Sequence, residues 1–123
     1  MARTAIGIDL GGTFIKTGAV DEAGRILSRV KIPTRVPEGR EAIIGGIASA
    51  ADEARRQAGL SWRDVQAVGL GAPGVFAPPR GIVHNSPNLP SLEGRELARP
   101  VSFRTSYCRF GGTPHPTTCS PAR

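Results

Sequence analysis

From Thr4 to Leu10 the chain alternates, with Ile6, Ile8 and Leu10 on one face of an extended strand and Ala5, Gly7 and Asp9 on the other. The first face suits a core, and the second must stay uncrowded. Gly11-Gly12 comes next and predicts a tight hairpin turn with both glycines at positive φ. Thr13 to Val20 then reads as the return strand, Asp21 to Gly24 as a second turn, and Arg25 to Ile32 as a third strand ending at Pro33. The chain is expected to open as a three-stranded meander.

After a loop over residues 33–39 the period changes. Ile43, Ile44, Ile47, Ala48, Ala51, Ala54 and Ala58 recur at spacings of three and four, which predicts an amphipathic helix from Arg40 to Ala58 closed by Gly59. The Gly45-Gly46 pair costs such a helix about 1 kcal/mol per glycine relative to alanine, unless another backbone packs close there. Ser61 to Asp64 is a short connection. Val65 to Gly71 reads as a strand buried on both faces, because Val65, Ala67, Val68 and Leu70 occupy both. A helix followed by a buried strand implies a crossover onto the same sheet. The fold class is therefore α/β, a mixed sheet with a β-meander and a crossover helix. From Ala72 to Pro90 prolines and glycines shape a run of loops around a short Ile82-Val83-His84 strand. Ser91 to Ala98 predicts a helix start, with Ser91 as cap and Glu93 and Glu96 near its positive end.

Composition divides the chain in two. At 123 residues there is room for one domain, and 39% apolar with 21% charged residues is a globular balance that excludes wholesale disorder. Residues 99–123, however, contain no Leu, Ile, Asp or Glu, while Pro, Ser, Thr, Cys and Arg recur without period. The domain reading is a lobe over 1–98, with 99–123 an unrelated tail expected to be disordered or translated out of frame. The net charge of +6 follows this division: twelve basic and ten acidic residues give +2 over 1–98, and Arg99, Arg104, Arg109 and Arg123 give +4 over 99–123. Four scattered arginines form no basic stripe, so no nucleic-acid partner is expected. No stretch approaches the ~20 apolar residues of a membrane span, and Asp9 interrupts any signal-like run, so no membrane partner and a cytoplasmic location are expected. Cys108 and Cys119, with His115 between them, lack both a usual zinc spacing and a fourth ligand.

The candidate chemistry sits at the turns. A strand-Gly-Gly-Thr hairpin gathers consecutive amide N–H groups into a concave anion site, because Gly11 and Gly12 carry no side chain to block phosphate oxygens. Thr13 adds a hydroxyl, and the Asp9 carboxylate is a hard oxygen ligand for Mg²⁺. Lys16 is a second candidate for phosphate, yet strand parity places it on the face opposite Thr13, and a surface lysine fits equally well. Gly69 to Gly74 would expose backbone at the carboxyl edge of the sheet, where α/β folds bind ligands. Asn85 and Asn88 offer amide donors and acceptors suited to sugar hydroxyls. His84 and Trp62 read as packing residues.

Taken together, Ile8-Asp9-Leu10-Gly11-Gly12-Thr13, Val20-Asp21-Glu22-Ala23-Gly24-Arg25-Ile26-Leu27, Val68-Gly69-Leu70-Gly71-Ala72-Pro73-Gly74, Arg80-Gly81-Ile82-Val83 and Asn85-Ser86-Pro87-Asn88-Leu89-Pro90 resemble the start of ROK-family sugar kinases, nearest to the glucokinase branch. The likeness is collinear over residues 1–98. It implies the N-terminal lobe of an actin-like, ribonuclease-H-like ATPase that transfers the γ-phosphate of ATP to a hexose hydroxyl, with a homodimer possible for full-length members. On that resemblance Asp9, Gly11, Gly12 and Thr13 contact phosphate and Mg²⁺, Asp9 being the metal ligand, while Gly71 and Asn88 hold the sugar. Family members continue into an acidic Glu-Asn-Asp type run that supplies the general base, a second glycine-rich motif and a Cys/His zinc cluster. This sequence has none of the three. With no catalytic base and no zinc site, the expectation is an inactive, truncated N-terminal lobe, since a positioned base alone contributes ~10² to 10⁴ in rate. Two alternatives are a sugar-sensing regulator of the same family, disfavoured because Met1 lies too close to the first strand for a preceding helix-turn-helix, and a non-catalytic module that docks through a sheet edge.

Overall fold

Alternation and helical period become two layers. The computed structural model describes residues 3–72, 75–77, 82–85 and 87–96. Strands β1 (Thr4–Leu10), β2 (Phe14–Asp21) and β3 (Val30–Pro33) form the meander, helix α1 (Arg40–Gln57) crosses over, and β4 (Val65–Gly71) returns to the sheet. The order is β3-β2-β1-β4, with β1 parallel to β4 and the other neighbours antiparallel, so the sheet is mixed as the sequence predicts. Among the described residues no helix is long and apolar enough to cross a membrane.

The register explains where the core lies. Ile6 stands beside Ala19 and Val68, Ile8 beside Thr17 and Leu70, and Leu10 beside Ile15, so one face of three strands is mostly apolar, the Thr17 hydroxyl donating to the Gly7 carbonyl at 2.8 Å. On this face α1 buries Ile43, Ile44, Ile47, Ala51 and Ala54. Each large aliphatic side chain so buried stabilises the lobe by about 1.5–3 kcal/mol relative to leaving it in water. The opposite face carries Ala5, Gly7, Asp9, Lys16, Gly18, Ala67 and Gly69, and none of these is buried.

Strand β4 has the predicted bounds but not the predicted double burial. Thr4 pairs with Val65 and Ala5 with Ala67, so Gln66 is an extra residue and the pleat changes phase there. The bulge lets both Val65 and Val68 face the helix, while Ala67 on the other face is exposed.

The third strand is also shorter than expected, beginning at Val30 rather than Arg25. Between them Ser28 turns inward, where its Oγ accepts from the Ala19 amide at 3.1 Å and donates to the Ala54 carbonyl at 2.7 Å. This link from β2 to α1 replaces regular pairing, leaving one bridge between Val20 and Ile26. Helix α1 ends as predicted, because Gly59 at φ 70° lets its own amide reach the Arg56 carbonyl and the Leu60 amide reach Arg55. Gly46 inside α1 has a different cause from the one expected. A Cβ at Gly46 would come within 3.3 Å of the Ile15 side chain and 3.5 Å of Ile32, so side chains, not backbone, occupy the space.

Beyond β4, strands β5 (Val75–Ala77) and β6 (Ile82–His84) form a small hairpin. The helix predicted from Ser91 is not formed over residues 91–96. A 3₁₀ turn at Pro90–Leu92 stands there instead, and Gly94 at φ 68° folds the chain back so that its amide donates to the Val83 carbonyl at 2.7 Å. Burial of Leu89 and Leu92 with Val83 outweighs the Ser91 cap. The expected tail over 99–123, with Cys108, His115 and Cys119, lies outside the described residues.

Candidate functional site

Three residues, Gly11 to Thr13, join β1 to β2, closed by the Gly11 amide donating to the Phe14 carbonyl at 3.0 Å. Contrary to expectation, neither glycine adopts a left-handed conformation. They are needed for space. A Cβ at Gly11 would stand 2.9 Å from the Phe14 carbonyl oxygen, and one at Gly12 would stand 3.0 Å from Asn88 Cβ. The amides of Gly12 and Thr13 have no acceptor among the described residues. Thr13 itself is exposed.

Asp9 is exposed on the uncovered face, and its carboxylate has no hydrogen bond or ion pair among the described residues. The register sets Gly71 beside it across β1 and β4, and Lys16 beside it across β1 and β2. Lys16 therefore shares a face with Asp9. Parity relative to Thr13 is not the relevant measure, because Thr13 belongs to the turn and not to β2. Lys31 pairs with Lys16 and extends the row, its Nζ 4.1 Å from the Phe14 ring centroid. Asn88 is exposed, and the chain on its C-terminal side is anchored by Leu89 at 0% exposure. The structure thus gathers Asp9, Gly11, Gly12, Thr13, Gly71 and Asn88 at the carboxyl ends of β1 and β4.

Other sequence candidates stand elsewhere. The Asn85 backbone N–H donates to Glu93 Oε1 at 3.2 Å, and His84 Nδ1 lies 3.7 Å from the same oxygen. His84 is half exposed rather than packed. Trp62 packs against the core, with the Arg55 guanidinium 5.6 Å from its ring centroid.

One residue escaped the sequence reading. Thr34, 1% exposed, donates from Oγ1 to the Gly11 carbonyl at 2.7 Å and from its amide to the Thr13 carbonyl at 2.9 Å. It follows a proline in what reads as a plain connector, so nothing local signals the contact. The residues present fit a bound polyphosphate and a divalent cation: two amides free of internal acceptors, a cradle that any Cβ would fill, and a free carboxylate beside it. Among the described residues no cluster of three or more His, Cys, Asp or Glu exists, and Asp9 is the carboxylate that the turn sets beside the two amides.

A family model described as "ROK family" matches residues 5–109. The chain is 45% identical over 84 residues to a glucokinase of Streptomyces coelicolor, covering 68% of this chain and 24% of that enzyme. To a Thermotoga maritima glucokinase it is 37% identical over 100 residues, 81% of this chain and 30% of that one. Among solved structures, a ROK hexokinase from Thermus thermophilus superposes with a TM-score of 0.76 at 34% identity, covering 87% of this chain and 33% of that one. A ROK glucokinase from Streptomyces griseus, in complex with glucose and AMPPNP, gives 0.74 at 36%, covering 87% of this chain and 31% of that one. The chain therefore spans about a quarter to a third of the relatives it matches. The fold is part of the N-terminal lobe of an actin-like ATPase.

Proposed function

Because this chain belongs to the ROK family, we propose that it is the nucleotide-gripping opening segment of an ATP-dependent hexose kinase of the glucokinase type. The observation that supports this reading is the meeting of Gly12 with Asn88, which brings the turn read as phosphate-binding against the loop read as sugar-binding. Donor and acceptor would then share one edge of one sheet, and holding two reactants in register is the largest service a phosphotransferase supplies. The AMPPNP and glucose bound by the Streptomyces griseus relative support the same pairing.

In this mechanism the Gly12 and Thr13 amides and the Thr13 hydroxyl hold the terminal phosphates. Asp9 holds Mg²⁺ directly or through water, and Gly71 and Asn88 hold the hexose. When bound, MgATP supplies a transferable phosphoryl group with its charge largely neutralised. Asp9 cannot both ligate a cation and take the proton of the attacking hydroxyl. We therefore expect the chain by itself to bind its ligands without useful turnover.

Calorimetric titration of the full 123-residue chain with Mg·AMPPNP tests the reading. Saturable binding that weakens at least tenfold with EDTA or with Asp9→Asn is expected. Equal binding by the Asp9→Asn variant, or none by the unsubstituted chain, contradicts it.

A further inference from the structure

The phosphate turn has no side chain of its own at Gly11 or Gly12, so whatever fixes its peptide planes must reach in from outside. We propose that Thr34 is a positioning residue that does this, locking the Gly11–Gly12 peptide so that the Gly12 N–H is presented to a polyphosphate. The proposal rests on the phosphate reading above.

The argument is geometric. The Gly11 carbonyl and the Gly12 N–H belong to one planar trans peptide and point in opposite directions. Thr34 Oγ1 holds that carbonyl at 2.7 Å, and Thr34 is 1% exposed. The carbonyl is therefore drawn toward the buried side, and the Gly12 N–H is turned away from it, where it finds no acceptor among the described residues. The second bond, from the Thr34 amide to the Thr13 carbonyl at 2.9 Å, carries the β2–β3 pairing one residue past Phe14 and Pro33 and holds the other end of the turn. A β-branched side chain is stiff at χ1, which suits a clamp.

Two further features show that Thr34 is held in place. Immediately after it Arg35 adopts φ 61°, ψ 47°, a left-handed conformation unfavourable for a residue with a Cβ. That strained residue swings the chain from β3 toward α1 just beyond the clamp. Pro33 and Pro37 flank the bend and restrict the backbone on both sides.

The test compares Thr34→Val, which keeps the shape and loses the hydroxyl, with Thr34→Ser, which keeps the hydroxyl, in the full chain; Thr34→Ala substitutes for Val should Val fail to fold. Two quantities are read by amide NMR: the order parameter of the Gly12 N–H without ligand, and its shift on titration with magnesium tripolyphosphate. The expected result is an ordered Gly12 amide and saturable binding in the parent and the Ser variant. In the Val variant, with α1 intact, the order should fall and affinity drop at least fivefold. An unchanged Gly12 order parameter in Thr34→Val overturns the clamp, whether or not ligand binds. Absence of tripolyphosphate binding by the parent, with the clamp signature present, overturns the phosphate reading instead.

Discussion

Asp9 and Asp21 lie on the same hairpin and meet opposite fates. Asp9 keeps its carboxylate free on the uncovered face, which suits a cation ligand. Asp21 spends its carboxylate on the turn that follows β2, where Oδ1 accepts from the Arg25 and Ala23 amides at 3.0 Å each and Oδ2 accepts from Arg25 Nε at 2.8 Å. The Arg25 amide chiefly, helped by the Arg25 side chain and the Ala23 amide, holds its pKa below the ordinary carboxylate value, while burial, second only to the Arg25 amide, opposes them. A depressed folded-state pKa contributes stability above the unfolded value that is lost as pH falls through the folded one. Asp21→Asn should therefore lower the melting temperature at pH 6–7, and the gap to the parent should close as pH falls below about 4. Melting curves across pH check this. A gap that stays constant down to pH 2 contradicts the assignment.

At the scale of elements, what was legible in the sequence was whatever repeats. β1 and α1 declare their burial by periods of 2 and 3.6, and both appear within a residue of their predicted bounds. The start of β3 did not, because it is set by Ser28, whose two bonds go to residues 9 and 26 positions away. Thr34 was silent for the same reason, its hydroxyl reaching a carbonyl 23 residues back. Gly11 and Gly12 sit in the β1–β2 turn as read, but not at positive φ: they make room for Phe14 and Asn88. Packing of Leu89 and Leu92 overrode the local cap signal at Ser91. Ser28 also gives the sharpest stability test. Ser28→Ala strands the Ala19 amide at the β2–α1 contact, while the Ala54 carbonyl keeps the Ala58 amide, and one such stranded buried group costs about 1–3 kcal/mol. Urea unfolding should show a loss in that range, and a loss under 0.5 kcal/mol would show that water or a backbone shift repairs the contact.

At the scale of the whole molecule, the described residues form a mixed sheet with helix α1 on one face and the candidate site along one edge. The separation matters for function. The core lies on the helix side, while Asp9, Lys16 and Gly71 stand on the other, so a ligand can be gripped without disturbing Ile6, Ile8 or Leu10. The collinear motifs in the sequence pointed to this family, and the match over residues 5–109 shows it. The convergence of Asp9, the Gly11–Thr13 turn, Gly71 and Asn88 on one edge became visible only when the parallel register of β1 with β4 and the contact of Gly12 with Asn88 were in hand. The most direct measurement of the central claim is an amide NMR map of the chain, titrated first with Mg·AMPPNP and then with glucose. The account predicts saturable shifts at Asp9, Gly11, Gly12 and Thr13 with the nucleotide and at Gly71 and Asn88 with the sugar, leaving α1 and the exposed Ile26–Leu27 segment unmoved. Shifts centred on Ile26 and Leu27, or no saturable shift at the glycine turn, would contradict it.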